Sequence, residues 1–486
     1  MSTISISSVD VDTRHWIGGQ RVASIETFDD VSPVDGALLG RISRGGRAEA
    51  DAAVAAAKAA FPAWARLTPV ERAEILHRVA DNVEAHIEEL SQIETIDNGS
   101  LLRSHRRGVM PRVVMNIRFF ADYAVEQLKH PVFQTRGHDN VVSWDPSGVA
   151  VIITPWNAPL MLATWRIGPA LASGDTVVLK PPEWAPLTAS YFAQLAHEAG
   201  LPAGVFNVVQ GLGVEAGAPL TENADVSRIC FTGSVPTAKV IARAAAENLT
   251  PCSFELGGKS PTVILDDADL DLAVELAIEQ YDNAGQVCLA GTRLLVQRGI
   301  ADAFAQRFAE RAAKIRQGDP RDEDTEIGPN IHLKHIERVQ GFVDRAKADG
   351  ATIVYGGEVN AELGSHYFKP TLVRDAQSGS EILTQEVFGP VLTMQVFDTD
   401  AEGLALANGT DFGLAAVVVS GDRKRAEAFT QHLVAGTIWV NCFFVRDLSA
   451  PFGGSKKSGI GREGGVWSFD FYADVKNTVF APTGWK

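Results

Sequence analysis

Three residues far apart in this 486-residue chain carry side chains that together could transform a carbonyl group. Cys288 closes the run Asn283-Ala-Gly-Gln-Val-Cys288, just after a glycine that ends the helical pattern of residues 272–280. A thiol on such a turn can be exposed for attack, although a lone cysteine is more often a small buried hydrophobe. Glu255 stands at a strand end in Phe254-Glu-Leu-Gly-Gly-Lys-Ser-Pro261, beside two glycines that permit close backbone approach. A partly desolvated carboxylate there has a raised pKa and could activate water; paired with Lys259 it would be merely structural. Asn157 lies in Thr154-Pro-Trp-Asn-Ala-Pro159, where flanking prolines stiffen the loop. Its amide could donate to a developing oxyanion, or serve as ordinary turn chemistry.

Taken with further runs in the same order, these segments resemble the aldehyde dehydrogenase superfamily over essentially the whole chain. The further runs are Lys180 and Glu183 in LKPPE, Phe231–Ser234 (FTGS), Glu386–Pro390 (EVFGP) and Pro451–Glu463 (PFGGSKKSGIGRE). The resemblance implies that Cys288 is the nucleophile, Asn157 with the Cys288 N–H the oxyanion hole, and Glu255 the general base. Aldehyde oxidation needs a hydride to leave, and thiolate addition creates the tetrahedral oxyanion able to expel it; water then cleaves the thioester.

The resemblance also implies NAD. Lys180 and Glu183 match the residues that hold the adenosine ribose, and a carboxylate at Glu183 would repel a 2′-phosphate. Gly233 and Ser234 open a helix, residues 235–246, whose N–H groups and dipole suit a pyrophosphate. Thr154, Pro155, Trp156, Phe231 and Leu256 match the surrounding wall, while Glu386 and Phe388 match residues at the nicotinamide ribose and ring. The glycines at 211, 213 and 217 lack GxGxxG spacing and read as a strand-to-helix turn; by resemblance Gly213 and Gly217 border the cofactor.

The C-terminal part looks closest to the hydroxymuconic semialdehyde dehydrogenase branch. The substrate expected is accordingly a muconic-type semialdehyde or an aromatic aldehyde. In that branch residues matching Arg112 and Arg446 hold a carboxylate, for which a guanidinium is well shaped. The alternatives are a surface cation for Arg112 and an ion pair with Asp447 for Arg446. Trp165, Val287, Leu289, Phe443, Phe444 and Phe452 are candidate apolar walls or ordinary core. Departures from the wider pattern are Ala158 where a bulky residue is common, Arg166 where lysine is usual, and Asp474 where glutamate is commoner; Arg166 and Asp474 are expected to alter proton relay together. Ser449 and Ala450 depart from the muconic branch. Two rivals are a CoA-acylating enzyme, opposed by Glu255, and an inactive structural member, opposed by the intact Cys288, Glu255 and Asn157.

Positioning these groups requires an α/β scaffold. Residues 49–95 read as two amphipathic helices, the second carrying Ile75, Leu76, Val79, Val83, Ile87 and Leu90. Strands at 141–144 and 149–153 flank a turn at 145–148. Strands then alternate with helices through 176–179, 205–209, 228–231 and 253–256, the pattern of a parallel sheet covered by helices. A second series has helices at 301–315, 335–348, 401–408 and 423–434 and strands at 352–355, 415–420 and 437–441. The expected fold is a Rossmann-type NAD-binding domain (1–126 and 145–256), an α/β catalytic domain (257–457) and a β oligomerisation arm (127–144 and 475–486). By resemblance the arm makes a homodimer or homotetramer.

Bulk properties agree. Hydrophobic residues at 45% and charged residues at 21% describe a globular chain. The formal net charge of −16 disfavours nucleic acid as a partner. The N-terminal stretch lacks a basic and apolar leader and no stretch suits a membrane span, so a cytoplasmic location is expected. Four cysteines without CxxC spacing argue against disulfides and structural zinc, and no metal is expected.

Overall fold

A computed structural model describes residues 2–484. Five parallel strands form the centre of an eight-stranded sheet, in the spatial order Cys252–Leu256, Arg228–Gly233, Val149–Ile153, Thr176–Lys180, Phe206–Val208. The strands are buried on both faces, which is why they read as continuous apolar runs rather than as alternation. His15–Ile17 and Gln20–Val22 extend one edge, and Gly459–Ile460 closes the other beside Glu255. Strand order reverses between Val149–Ile153 and Arg228–Gly233, so the loops leaving their carboxyl ends splay apart and open a crevice.

A seven-stranded sheet runs Thr352–Tyr355, Thr371–Arg374, Val391–Phe397, Arg293–Gln297, Pro261–Ile264, Ala415–Val419, Thr437–Val440. Three adjacent strands of it, starting at Pro261, Arg293 and Val391, begin just after the segments that carry Glu255, Cys288 and Glu386. Their parallel pairing gathers those three segments at one end of the sheet. Pro261–Ile264, Arg293–Gln297, Thr371–Arg374 and Val391–Phe397 are absent from the sequence reading. They are short and almost wholly buried, and periodicity cannot separate such runs from buried helix.

The helical stretch 49–95 holds three helices rather than two: Arg47–Ala65, Pro69–Ala85 and Ile87–Asn98. Thr68 and Glu71 cap the second reciprocally, with Thr68 N–H donating to Glu71 Oε2 at 2.7 Å. The break is at His86 (φ −112°, ψ 21°), and the apolar period runs across it because Val83 and Leu90 face the same core. The helix expected at 423–434 ends at Thr430.

A separate three-stranded antiparallel sheet joins Val132–Thr135, His138–Pro146 and Ala473–Phe480. Its hairpin turns at Arg136 (φ 52°) and Gly137 (φ 79°), both left-handed as a two-residue loop requires. The middle strand continues through Pro146, so the turn expected at 145–148 begins later than its sequence suggests. Trp485 and Lys486 of the expected arm lie outside the described residues. Among the described residues no helix is long and apolar enough to cross a membrane.

Candidate active site

The 3₁₀ segment Glu279–Gly285 delivers Cys288. Asn283 (φ 49°), Ala284 (φ 54°) and Gly285 (φ 69°) are successively left-handed, which turns the chain sharply out of helix Leu270–Ile278. Gly285 is needed twice, for its φ and because a β-carbon there would overlap the Gly389 carbonyl. The cysteine loop thereby seats directly on the Glu386–Pro390 loop. Cys288 is half-buried, and its thiol is pushed up to about 12, first by burial and then by the Glu386 and Glu255 carboxylates; Arg446 opposes them. Val287 is half-buried and Leu289 buried, both against the main core.

Asn157 Nδ2 donates to the Gln286 carbonyl at 2.9 Å, holding the amide beside the loop that ends in Cys288. The same Nδ2 carries a second N–H that can serve another acceptor. Glu255 is buried, and its Oε1 has no hydrogen-bond partner. Burial raises its carboxyl well above the usual range, the Glu463 charge adds to this, and Arg166, Arg446 and Arg462 oppose it. The Lys259 ion pair considered for it does not form: Lys259 Nζ is buried without a partner. Such a carboxyl is poised to take a proton from water.

The crevice at the sheet's reversal collects most of the remaining predicted residues. Thr154 Oγ1 and Thr232 Oγ1 face no partner although buried, so each can serve a bound polar molecule. Lys180 Nζ reaches Glu183 Oε2 at 3.3 Å and the Pro181 carbonyl at 2.8 Å. A β-carbon on Gly217 would lie 3.7 Å from the Lys180 side chain. Gly233 sits under the Phe231 ring, and Ser234 caps helix Val235–Glu247, accepting from Thr237 N–H at 3.4 Å. Leu256 N–H donates to Ser458 O at 2.8 Å. Pro155 belongs to the stiff loop that carries Trp156, whose ring meets Phe388 edge-on at 5.3 Å. Gly213 is exposed at the start of the short helical segment Gly213–Gly217, where a β-carbon would meet open space.

Glu386 reaches this crevice from the second sheet. Gly258 N–H donates to its Oε1 at 3.1 Å, and burial pushes its carboxyl up to about 7 against that bond and the Arg338 and Lys259 charges. Helix Leu333–Ala348 clips the loop from behind: Arg338 donates to the Glu386 and Val387 carbonyls, and His335 Nε2 meets the Phe388 carbonyl at 2.7 Å. Phe388 itself is left-handed at φ 60°.

On the other side of Cys288 the Arg446 guanidinium lies 3.7 Å over the Phe452 ring and 4.7 Å over Trp165. Burial, then the Arg112 charge, lowers Arg446 to about 10, and its Nη2 has no hydrogen-bond partner. The pair with Asp447 is not made: Asp447 Oδ1 accepts from Ser449 N–H at 2.7 Å. Arg112 is half-buried, donates to Asn116 at 3.0 Å and stands 5.9 Å from the same Trp165 ring. Trp165 Nε1 donates to Glu463 at 2.6 Å, and Glu463 pairs backbone to backbone with Phe452. Both cations meet the Trp165 ring; the Asp447 charge supports Arg112, and the Glu463 and Glu255 charges support Arg446.

The Asn157 amide holds the loop that ends in Cys288, and the buried Glu255 carboxylate is close enough to bear on the Cys288 thiol. The Aldehyde dehydrogenase family profile matches residues 20–478. The 2-hydroxymuconic semialdehyde dehydrogenase of Pseudomonas sp. (strain CF600) is 44% identical over 481 residues, 96% of this chain and 99% of its own. The chain belongs to the aldehyde dehydrogenase family. A 2-aminomuconic semialdehyde dehydrogenase from Danio rerio is 38% identical, covering 96% of this chain and 97% of its own. Betaine aldehyde dehydrogenase from Staphylococcus aureus, solved in complex with NAD+, superposes with a TM-score of 0.94 at 36% identity, covering 98% and 96% of the two chains.

Within this aldehyde dehydrogenase fold one expectation fails. Arg166 does not meet Asp474; it forms a buried pair with Glu463, 2.9 Å from Nη2 to Oε1. Asp474 pairs instead with Arg228 at 2.6 Å on the arm strand. Sequence reading also passed over His335, Arg338 and Glu463. The first two stand three residues apart on a helix some fifty residues before the loop they hold, and nothing local reveals that loop as their partner. Glu463 closes the PFGGSKKSGIGRE run, so the run pointed to it without indicating a role.

Proposed function

We propose that the protein oxidises a carboxylate-bearing semialdehyde of the muconic type to the acid, with NAD as acceptor and Cys288 as nucleophile. The observation that carries the catalytic part is the convergence of Cys288, Asn157 and the partnerless Glu255 carboxylate. Glu255 takes the Cys288 proton and passes it to solvent; the thiolate adds to the aldehyde carbon, and the new alkoxide is met by the free Asn157 N–H and the Cys288 N–H. NAD, held in the crevice, would supply the acceptor for the hydride that the collapsing adduct expels. The acyl group then stays on Cys288 as a thioester. Glu255 takes a proton from water, the resulting hydroxide attacks the thioester, and the carboxylate product leaves with Cys288 restored.

The crevice fits NAD on its donor set: two orphaned threonine hydroxyls, the Lys180 and Glu183 pair for ribose hydroxyls, and a capped helix N-terminus for pyrophosphate. Glu183, 39% exposed in its side chain, disfavours a 2′-phosphate there. In this reading residues 1–126 and 145–256 bind the dinucleotide and 257–457 supply the thiol. For the substrate, the Arg446 guanidinium with its partnerless Nη2, and Arg112 at the same Trp165 ring, support recognition of a carboxylate, in keeping with the names of the muconic relatives. The exposed Val132, Phe133, Val475 and Val479 of the three-stranded sheet support self-association as a homodimer or homotetramer.

NADH formation from a semialdehyde panel, with and without CoA, tests the reading against Cys288→Ala. Turnover without CoA that disappears in the variant is expected. No NADH from any aldehyde, or turnover only with CoA, would reject it.

A further inference from the structure

We propose that Asn283 is a positioning residue that sets the aim of the Asn157 amide; this rests on the assignment of Asn157 and Cys288 above. Asn283 occupies the left-handed region (φ 49°, ψ 39°), where asparagine is the side chain best tolerated after glycine. Its two amide atoms are both used. Ser100 Oγ donates to Oδ1 at 2.9 Å, which fixes the orientation of the amide, and Nδ2 then donates to the Asn157 main-chain carbonyl at 3.0 Å. In return Asn157 Nδ2 donates to Gln286 O at 2.9 Å. Gln286 is fastened in turn, through its Nε2 to the Asn283 carbonyl at 3.0 Å and its Oε1 to the Ile331 N–H at 2.9 Å.

Asn157 is therefore held at its backbone and at its side chain by the loop that presents the thiol. With one N–H committed to Gln286, the other has a single remaining direction, and the thiol lies two residues beyond Gln286. Losing the Asn283 bond frees the Asn157 main chain while leaving the cysteine loop its own bonds. The loss should fall on steps that build an oxyanion and spare steps that do not.

Two reactions of the cofactor-free enzyme separate those steps. Acylation by p-nitrophenyl acetate passes through a tetrahedral oxyanion, whereas alkylation by iodoacetamide is a displacement at carbon that forms none. Asn283→Ala should slow acylation about tenfold to a hundredfold, leave alkylation within about twofold, and lower kcat for the aldehyde with little change in KM. Asn283→Gly relieves the left-handed backbone and should show the same pattern, and Asn283→Asp should not rescue, because it cannot donate to the Asn157 carbonyl. Full acylation in Asn283→Gly would make the role one of backbone conformation alone and overturn the proposal. Equal slowing of both reactions, or of neither, would overturn it as well. Because Cys252 and Cys442 are half-buried free thiols as well, alkylation is read on the peptide carrying Cys288; Cys288→Ala, run alongside, should abolish turnover of p-nitrophenyl acetate, and if it did not, the assignment of the nucleophile would fail independently of Asn283.

Discussion

Gly257 lies so close beneath Glu386 that a β-carbon on it would overlap both oxygens of the carboxylate, while the next residue, Gly258, donates its N–H to Oε1 at 3.1 Å. The obstruction is the far end of a flexible side chain, so Gly257→Ala should fold and push Glu386 aside. By the family resemblance, that displaces a partner of the nicotinamide ribose. A charge-assisted hydrogen bond contributes about 1.5–3 kcal/mol, so NAD should bind at least about tenfold more weakly. Titration by protein fluorescence, with a melting curve to show an intact fold, measures this; an unchanged Kd would contradict it.

How much of this was legible in the sequence depends on the distance over which partners act. Glu255 beside Gly257 and Gly258, and Cys288 after Gly285, are local patterns, and the five central strands announce themselves by apolar runs between helices. The grip of Arg338 on Glu386 and the pairing of Arg166 with Glu463 are tertiary. A polar residue on a helix reads as solvent-facing until the fold supplies what it touches. The break at His86 stayed hidden for a related reason: a hydrophobic stripe records which face is buried, not whether the backbone beneath it is continuous.

Arg446 offers an unused Nη2 at the Trp165 face, and Arg112 approaches the same ring. If they hold a substrate carboxylate, Arg446→Ala should raise KM for a carboxylated semialdehyde by about tenfold to a hundredfold, the range of a charge-assisted hydrogen bond. KM for an uncharged aldehyde of similar length should change far less. Arg112→Ala should act in the same direction. Equal effects on charged and uncharged substrates would mean that the arginines support the wall and not the anion.

If Glu386 holds the nicotinamide ribose, as the family resemblance implies, it makes cofactor binding depend on pH. Burial pushes its carboxyl up to about 7, so it is mostly protonated at pH 6 and mostly ionised at pH 8. Only the carboxylate accepts from both ribose hydroxyls, and NAD should bind about tenfold more tightly at pH 8 than at pH 6. The sign for the free protein is opposite: a folded carboxyl above its ordinary 4.5 loses stability as pH rises from 4.5 toward 7. Lys259, lowered to about 7 by burial, and Arg338 face the same group, and Lys259 sheds its charge over the same interval. Glu386→Gln should flatten the profile and Lys259→Met should keep it. The reverse result would assign the step to Lys259.

Arg166 and Glu463 are an ion pair with side chains only 2% and 6% exposed. Removing one partner of such a pair leaves an uncompensated buried charge, at a cost of about 3–5 kcal/mol. Arg166→Met should therefore lower the melting temperature clearly. Adding Glu463→Gln should recover part of the loss, because glutamine is neutral and its carbonyl can still accept from Trp165 Nε1, now 2.6 Å from Glu463. Chemistry should move too. Burial raises the Glu255 carboxyl, the Glu463 charge adds to it, and Arg166 is the first of the cations that oppose them. Without Arg166 the carboxyl rises further, and the acid limb of the pH profile for thioester hydrolysis should shift to higher pH. Adding Glu463→Gln removes the repelling carboxylate and should bring the limb back. A stability loss with an unmoved limb would confine Arg166 to the scaffold; a limb that moves and returns would show that it sets the ionisation of the base.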